Sequence, residues 1–195
     1  KGVLWAGSDD GLVHLTRDGG ASWENITPEG MAEGIVNSIE VSPHDAGTAY
    51  LTLMRYKFMD LNPYVYKTTN YGQSWNLMVQ GLNDPHGFVR VVREDPQRPG
   101  LLYAGTETGL YISLDGGGFW QPFQLNLPVV PINDLTIRQN DLVAATAGRS
   151  FWILDNLSFL QQEADAKGVL AMATPRDTYL FEGGYSEKMR PGIGQ

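Results

Sequence analysis

The chain has 195 residues, no cysteine and a formal net charge of −8. Its few Lys and Arg are scattered, without the clustered basic surface that phosphate neutralisation needs, so neither nucleic acid nor an anionic membrane surface is an expected partner; the missing thiols remove disulfides, thiol catalysis and cysteine-ligated zinc. No apolar run nears the roughly 18 residues of a membrane helix, so no membrane insertion is expected, and 23 glycines without a collagen period read as the tight turns of an all-β chain.

Strand-like segments follow in a fixed order. The first group is Val3–Ala6, Leu12–Leu15 and Glu24–Ile26. The second is Val36–Val41, Thr48–Leu53, Tyr64–Thr68 and Asn76–Val79. The third is Phe88–Val92, Leu101–Ala104, Leu110–Ile112 and Gln121–Gln124, and the fourth is Ile132–Ile137, Leu142–Ala145 and Ser150–Leu154. With the strands of a full group lettered A to D, the first group begins at B and the fourth stops after C. Leu157–Ala164 is then expected as a short helix and Thr178–Phe181 as one more strand. The Gly-rich stretch Gly183–Gln195 reads as a linker or arm.

A motif recurs between strands C and D. It reads Thr16-Arg17-Asp18-Gly19-Gly20-Ala21-Ser22-Trp23, then Thr68-Thr69-Asn70-Tyr71-Gly72-Gln73-Ser74-Trp75, then Ser113-Leu114-Asp115-Gly116-Gly117-Gly118-Phe119-Trp120. The pattern is Ser/Thr-x-Asp/Asn-x-Gly-x-x-Trp. Asp18, Asn70 and Asp115 are expected to accept backbone N–H bonds inside a turn. Gly20, Gly72 and Gly117 supply positive φ. Thr16, Thr68 and Ser113 close a local hydrogen bond, and Trp23, Trp75 and Trp120 fold back as apolar plugs with one N–H to satisfy. The tryptophans stand 52 and 45 residues apart, which suits a four-stranded propeller blade of about 40–50 residues. In the fourth group Asp155-Asn156 stands without the Gly and Trp.

The expected fold is therefore all-β: a partial β-propeller of four-stranded blades, three to four of them, with a C-terminal extension. Residues 1–156 form the blades and residues 157–195 the extension. Closed propellers have about 4–8 blades. The remaining blades are expected from polypeptide upstream or from another chain.

These motifs resemble the Asp-box, or BNR-repeat, propellers. The stretches Trp5-Ala6-Gly7-Ser8-Asp9-Asp10-Gly11-Leu12-Val13, Leu102-Tyr103-Ala104-Gly105-Thr106-Glu107-Thr108-Gly109-Leu110-Tyr111 and Gly148-Arg149-Ser150-Phe151-Trp152-Ile153-Leu154-Asp155 are similar to those of large bacterial glycosyl hydrolase-like or sortilin (Vps10)-like proteins. The resemblance implies a secreted or cell-envelope bacterial protein. It places the motif turns on the face opposite most active sites of such propellers, so the motif residues are read as structural. The B–C and D–A loops then form the ligand-facing rim.

On that rim the residue types suit a glycan or a polypeptide ligand, since aromatic platforms with charged partners match the apolar faces and hydroxyl edges of sugars. Arg55, Tyr56, Asp60, His86, Glu107 and Arg149 are the binding candidates. Asp9, Asp10, Asp60 and Glu107 are the carboxylates eligible for glycoside hydrolysis, which uses two carboxyl groups about 5–10 Å apart. No arginine triad of the sialidase kind is evident. Arg149 is expected either to bind an acidic ligand or, the favoured reading, to pair with a rim carboxylate such as Glu107 from the preceding blade. His14, His44 and His86 are too dispersed for a metal site, and no cofactor fingerprint is present. Two functions follow: a recognition or scaffold propeller, or part of a non-sialidase glycoside hydrolase completed by residues elsewhere.

Overall fold

The computed structural model describes residues 2–83 and 87–162. Its strands form four antiparallel sheets in chain order. The first contains β1 (Leu4–Gly7), β2 (Val13–Thr16) and β3 (Glu24–Asn25). The second contains β4 (Ile35–Val41), β5 (Ala49–Met54), β6 (Val65–Thr68) and β7 (Asn76–Leu77). The third contains β8 (Val89–Glu94), β9 (Leu102–Thr106), β10 (Leu110–Ser113) and β11 (Gln121–Pro122), and the fourth β12 (Ile132–Arg138), β13 (Asp141–Thr146) and β14 (Phe151–Leu154). Every strand pairs with its sequence neighbour. A helical turn, α1 (Ser158–Gln162), stands within the segment expected to be helical. Thr178–Phe181 and the tail lie outside the described residues.

The second strand of each full sheet explains the stacking. All six residues of β5 and all five of β9 are buried, so both faces of these strands are covered. The covering comes from neighbouring sheets. Val13 and Leu15 of the first sheet pack with Leu51 of the second. Tyr50 and Val65 of the second pack with Val92, Leu102 and Trp120 of the third. Tyr103 and Ile112 of the third pack with Ile132, Leu135 and Leu142 of the fourth. Each such side chain contributes about 1.5–3 kcal/mol when fully buried, and that burial exists only between sheets. Consecutive four-stranded sheets sharing cores in this way are blades of a β-propeller.

The first strands of the second, third and fourth sheets carry the same irregularity. The β4–β5 register shifts between Val36 and Ser38, the β8–β9 register between Val89 and Val91, and the β12–β13 register between Ile132 and Asp134. The extra residues are Asn37, Arg90 and Asn133, each a bulge that bends the strand start and re-aims a side chain. Arg93 of β8 ties three blades together. It donates to Glu40 Oε2 at 3.3 Å on β4, to Asp134 Oδ1 at 2.7 Å on β12 and to the Leu135 carbonyl at 2.9 Å. Burial pushes the Glu40 carboxyl above its usual value, against the opposing pull of Arg93.

The three motif turns have one hydrogen-bond design. Thr16, Thr68 and Ser113 donate to Asp18, Asn70 and Asp115 Oδ1 at 2.7, 2.9 and 2.8 Å. The same hydroxyls accept from the N–H of Gly20, Gly72 and Gly117 at 3.0, 2.9 and 2.9 Å. The Asp or Asn Oδ1 also accepts an N–H four residues on, from Ser22, Ser74 or Phe119, at 3.0 Å in each turn. Hydrogen bonds from Ser22 hold the Asp18 carboxyl far below the usual range. Gly72 has φ +80°, and a Cβ there would meet Ile26 Cδ1 of the first blade at 2.5 Å, so only glycine fits both the turn and the neighbour.

Thr68 is 1% exposed, and its hydroxyl serves two partners. Thr68→Val keeps the shape and strands the buried Gly72 N–H. The expected loss is about 1–3 kcal/mol, read as a lower denaturant midpoint with an unchanged slope.

Candidate functional site

The B–C loops and the D–A connections meet at one end of the strands. Backbone bonds join them: Val36 N–H to the Ser8 carbonyl, Glu107 N–H to the Phe88 carbonyl and Ala147 N–H to the Pro131 carbonyl. This rim carries the residues singled out by sequence, and the structure sorts them.

The second blade supplies a locked loop. Tyr56–Phe58 forms one 3-10 turn, closed by Met59 in the left-handed conformation at φ 57°. Asp60 organises it by accepting from Asn62 N–H at 3.1 Å, Asn62 Nδ2 at 2.8 Å, the Tyr64 hydroxyl at 2.8 Å and the Arg55 guanidinium. Arg55 Nε also donates to the Glu33 carbonyl at 2.8 Å, and its guanidinium lies 5.5 Å from the Phe58 ring centroid. Burial raises the Asp60 carboxyl, but the bonds from Tyr64 and Asn62 and the Arg55 charge outweigh it and hold the group below its usual value.

The third blade supplies a second cluster joined to the first. Tyr56 stacks on Phe88 with centroids 6.0 Å apart and planes at 22°. Arg90, the bulge residue of β8, lies 5.2 Å over Phe88 and donates from Nε and Nη2 to Glu107 Oε2 at 2.7 and 2.6 Å. Tyr56, Phe58 and Met59 remain 46%, 48% and 93% exposed. The result is an aromatic shelf flanked by two arginine–carboxylate pairs and spanning two blades.

The expected pair of Arg149 with Glu107 does not form. Glu107 follows β9 and meets Arg90 from the adjacent strand of its own blade before any residue of the next blade reaches it. Arg149 is exposed; its carbonyl accepts from Trp152 Nε1 at 3.0 Å, and among the described residues no carboxylate pairs with it. Asp9 and Asp10 stand apart on the first blade. Ser8 donates to Asp10 within that turn and holds its carboxyl below the usual value, while Asp9 is exposed. His86 lies outside the described residues. A hollow of about 310 Å³ lies at the other end of the strands, lined by Glu40, Arg93, Glu94 and Arg138 among others, and so is separate from the rim.

Sequence reasoning passed over Phe88, Arg90 and Tyr64. A signal for Arg90 existed: Asn37, Arg90 and Asn133 occupy one repeat position, a polar residue directly after a valine or isoleucine near the start of the first strand in the second, third and fourth sheets.

No protein-family profile and no curated protein matches this chain. Solved structures do. YCF48 bound to D1 peptide is 21% identical with a TM-score of 0.59 over 79% of this chain and 48% of that one. The GH74 xyloglucanase of Xanthomonas campestris is 20% identical with a TM-score of 0.57 over 76% of this chain and 24% of that one. An ancestral GH74 enzyme is 18% identical with a TM-score of 0.59 over 78% and 22%. This chain thus spans about half or less of each. At these identities the likeness shows the fold: this is a segment of a β-propeller.

Asp60 has a lowered pKa, so its ionised form, held by the bonds from Tyr64 and Asn62 and by Arg55, stabilises above the unfolded carboxylate value of about 3.9, and that stability is lost as pH falls through the lower folded value. Asp60→Ala is expected to lower the melting temperature clearly at pH 7 and by much less at pH 2. Equal losses at both values would show that the charge is not what holds the loop.

Proposed function

We propose that this chain is a recognition segment of an Asp-box propeller in a secreted or cell-envelope protein, and that it binds a glycan on the B–C rim. The observation that carries this reading is the shelf of Tyr56 stacked on Phe88, bordered by the Arg90–Glu107 and Arg55–Asp60 pairs. A sugar ring lays its C–H face on an aromatic ring and offers hydroxyls at its edge. The two ion pairs present guanidinium donors and carboxylate acceptors where those hydroxyls would fall. The matching hydrogen bonds of the three motif turns support the Asp-box assignment. The same shelf suits an extended polypeptide, and YCF48 bound to D1 peptide is a structural neighbour with a peptide ligand.

The hydrolase reading has weaker support in these residues. A glycosidase needs one carboxyl group held protonated by a raised pKa. On this rim Asp10 and Asp60 are both lowered, and Glu107 is bound to a guanidinium. A general acid would have to be Asp9 or come from outside the described residues. The GH74 neighbours keep the reading alive as a propeller half-site.

A polysaccharide array and a peptide array, each followed by calorimetry on the hit, test the proposal. Tyr56→Ala is expected to weaken glycan binding about tenfold or more, near 1.4 kcal/mol, with the melting temperature within about 2 °C of the parent. Binding only to peptides would move the ligand class to polypeptide. Indifference of every hit to Tyr56→Ala would remove the shelf as the site. Chain cleavage by the isolated protein, lost in Glu107→Gln, would favour the hydrolase.

A further inference from the structure

The repeat allows the same position to be compared in successive blades. Pairing registers align Leu4 with Ala49 and Leu102, since each faces the first residue of a motif turn: Leu4 opposite Thr16, Ala49 opposite Thr68 and Leu102 opposite Ser113. Ala49 and Leu102 are 0% exposed, while Leu4 is 49% exposed. Two residues on, Leu51 and Ala104 are buried and Ala6 is exposed. The motif tryptophans show the same contrast. Trp120 is 0% exposed and Trp23 is 47% exposed.

The covered copies reveal what covers them. Trp75 Nε1 donates to the Ile26 carbonyl at 2.8 Å, and Trp120 Nε1 donates to the Met78 carbonyl at 2.9 Å. Ile26 follows Trp23 by three residues, and Met78 follows Trp75 by three. Each tryptophan therefore latches onto the carbonyl three residues beyond the tryptophan of the preceding blade. Its ring also meets that blade, as Trp75 does edge-on to Trp5 at 6.3 Å. Trp23 has no such acceptor among the described residues.

We propose that the face formed by Leu4, Ala6 and Trp23 docks a further blade of this repeat type, contributed by polypeptide outside these 195 residues, with the carbonyl three residues past its own motif tryptophan accepting from Trp23 Nε1. A four-stranded blade carrying the motif is the occupant that repeats the two latches already made. A second copy of this chain fits less well. Its last sheet ends in Asp155-Asn156 without a motif tryptophan, so it offers no equivalent carbonyl.

The test is to add the blade. A copy of residues 27–98 is fused ahead of Lys1, because Gly2 and Leu4 align with Gly100 and Leu102. The copy then supplies a whole blade and an innermost strand for β1. Exchange of the Trp23 indole N–H, assigned by loss of its signal in Trp23→Phe, is expected to slow about tenfold or more in the fusion. The melting temperature is expected to rise, and the rise to shrink in a fusion carrying Trp23→Ala. Unchanged exchange and melting temperature in a folded fusion would overturn the proposal. Leu4→Glu with Trp23→Glu is expected to lower the melting temperature much less in the unfused chain than in the fusion, because both side chains are about half exposed until the added blade covers them. Equal losses in the unfused chain and the fusion would also overturn it, as would a dimer by light scattering in which the Trp23 indole is already protected, which would make a second copy the occupant.

Discussion

The constraint on which this structure rests is a single indole N–H that must find a carbonyl in another blade. The turn that presents it is rigid because one hydroxyl and one carboxylate or carboxamide satisfy its backbone internally. Rigidity there is what aims the tryptophan at the preceding blade. A flexible turn would bury the same ring at a higher entropy cost. Local hydrogen bonding and long-range packing are thus one device, and the period of the motif becomes the period of the arc.

The device leaves the opposite rim free to vary. The motif turns hold one end of the strands, so the B–C loops carry different lengths and residues without disturbing the blade. The second blade uses this freedom for a loop knotted around Asp60. The third has a short turn and instead recruits its bulged strand, through Arg90, to meet Glu107. The two solutions meet where Tyr56 lies on Phe88. The two arginines and two carboxylates that border the shelf pair with each other, Arg55 with Asp60 and Arg90 with Glu107.

Much of the fold was legible in the sequence because the repeat reports itself three times. The motif, the alternating strands and the absent first strand of the opening group all precede any coordinate. Strand ends were less exact. The segment expected from Gln121 to Gln124 is a strand only over Gln121–Pro122; the Phe123 N–H still donates to the Leu110 carbonyl, and beyond it the Gln124 side chain turns to the Leu127 and Pro128 carbonyls. The site was legible in part. Arg55, Tyr56 and Asp60 lie close in sequence and emerged together. The Arg90–Glu107 pair did not, because strand register, and not sequence order, decides which arginine reaches which carboxylate.

Arg93 has a consequence for how the arc comes apart. Its guanidinium is shared by β4, β8 and β12, so the second blade cannot part from the third without leaving Glu40, a largely desolvated carboxyl, without its counter-charge, and the fourth cannot part from the third without breaking the bonds of Arg93 to Asp134 and the Leu135 carbonyl. Chains built of stacked repeats behave as one-dimensional arrays in which each unit is stabilised by its neighbours. A bracket across three neighbours lengthens the cooperative unit at the middle of such an array. Amide exchange should therefore not fade evenly from the third blade outward: the second through fourth should open as one block, and the first, outside the bracket, as a separate and earlier event.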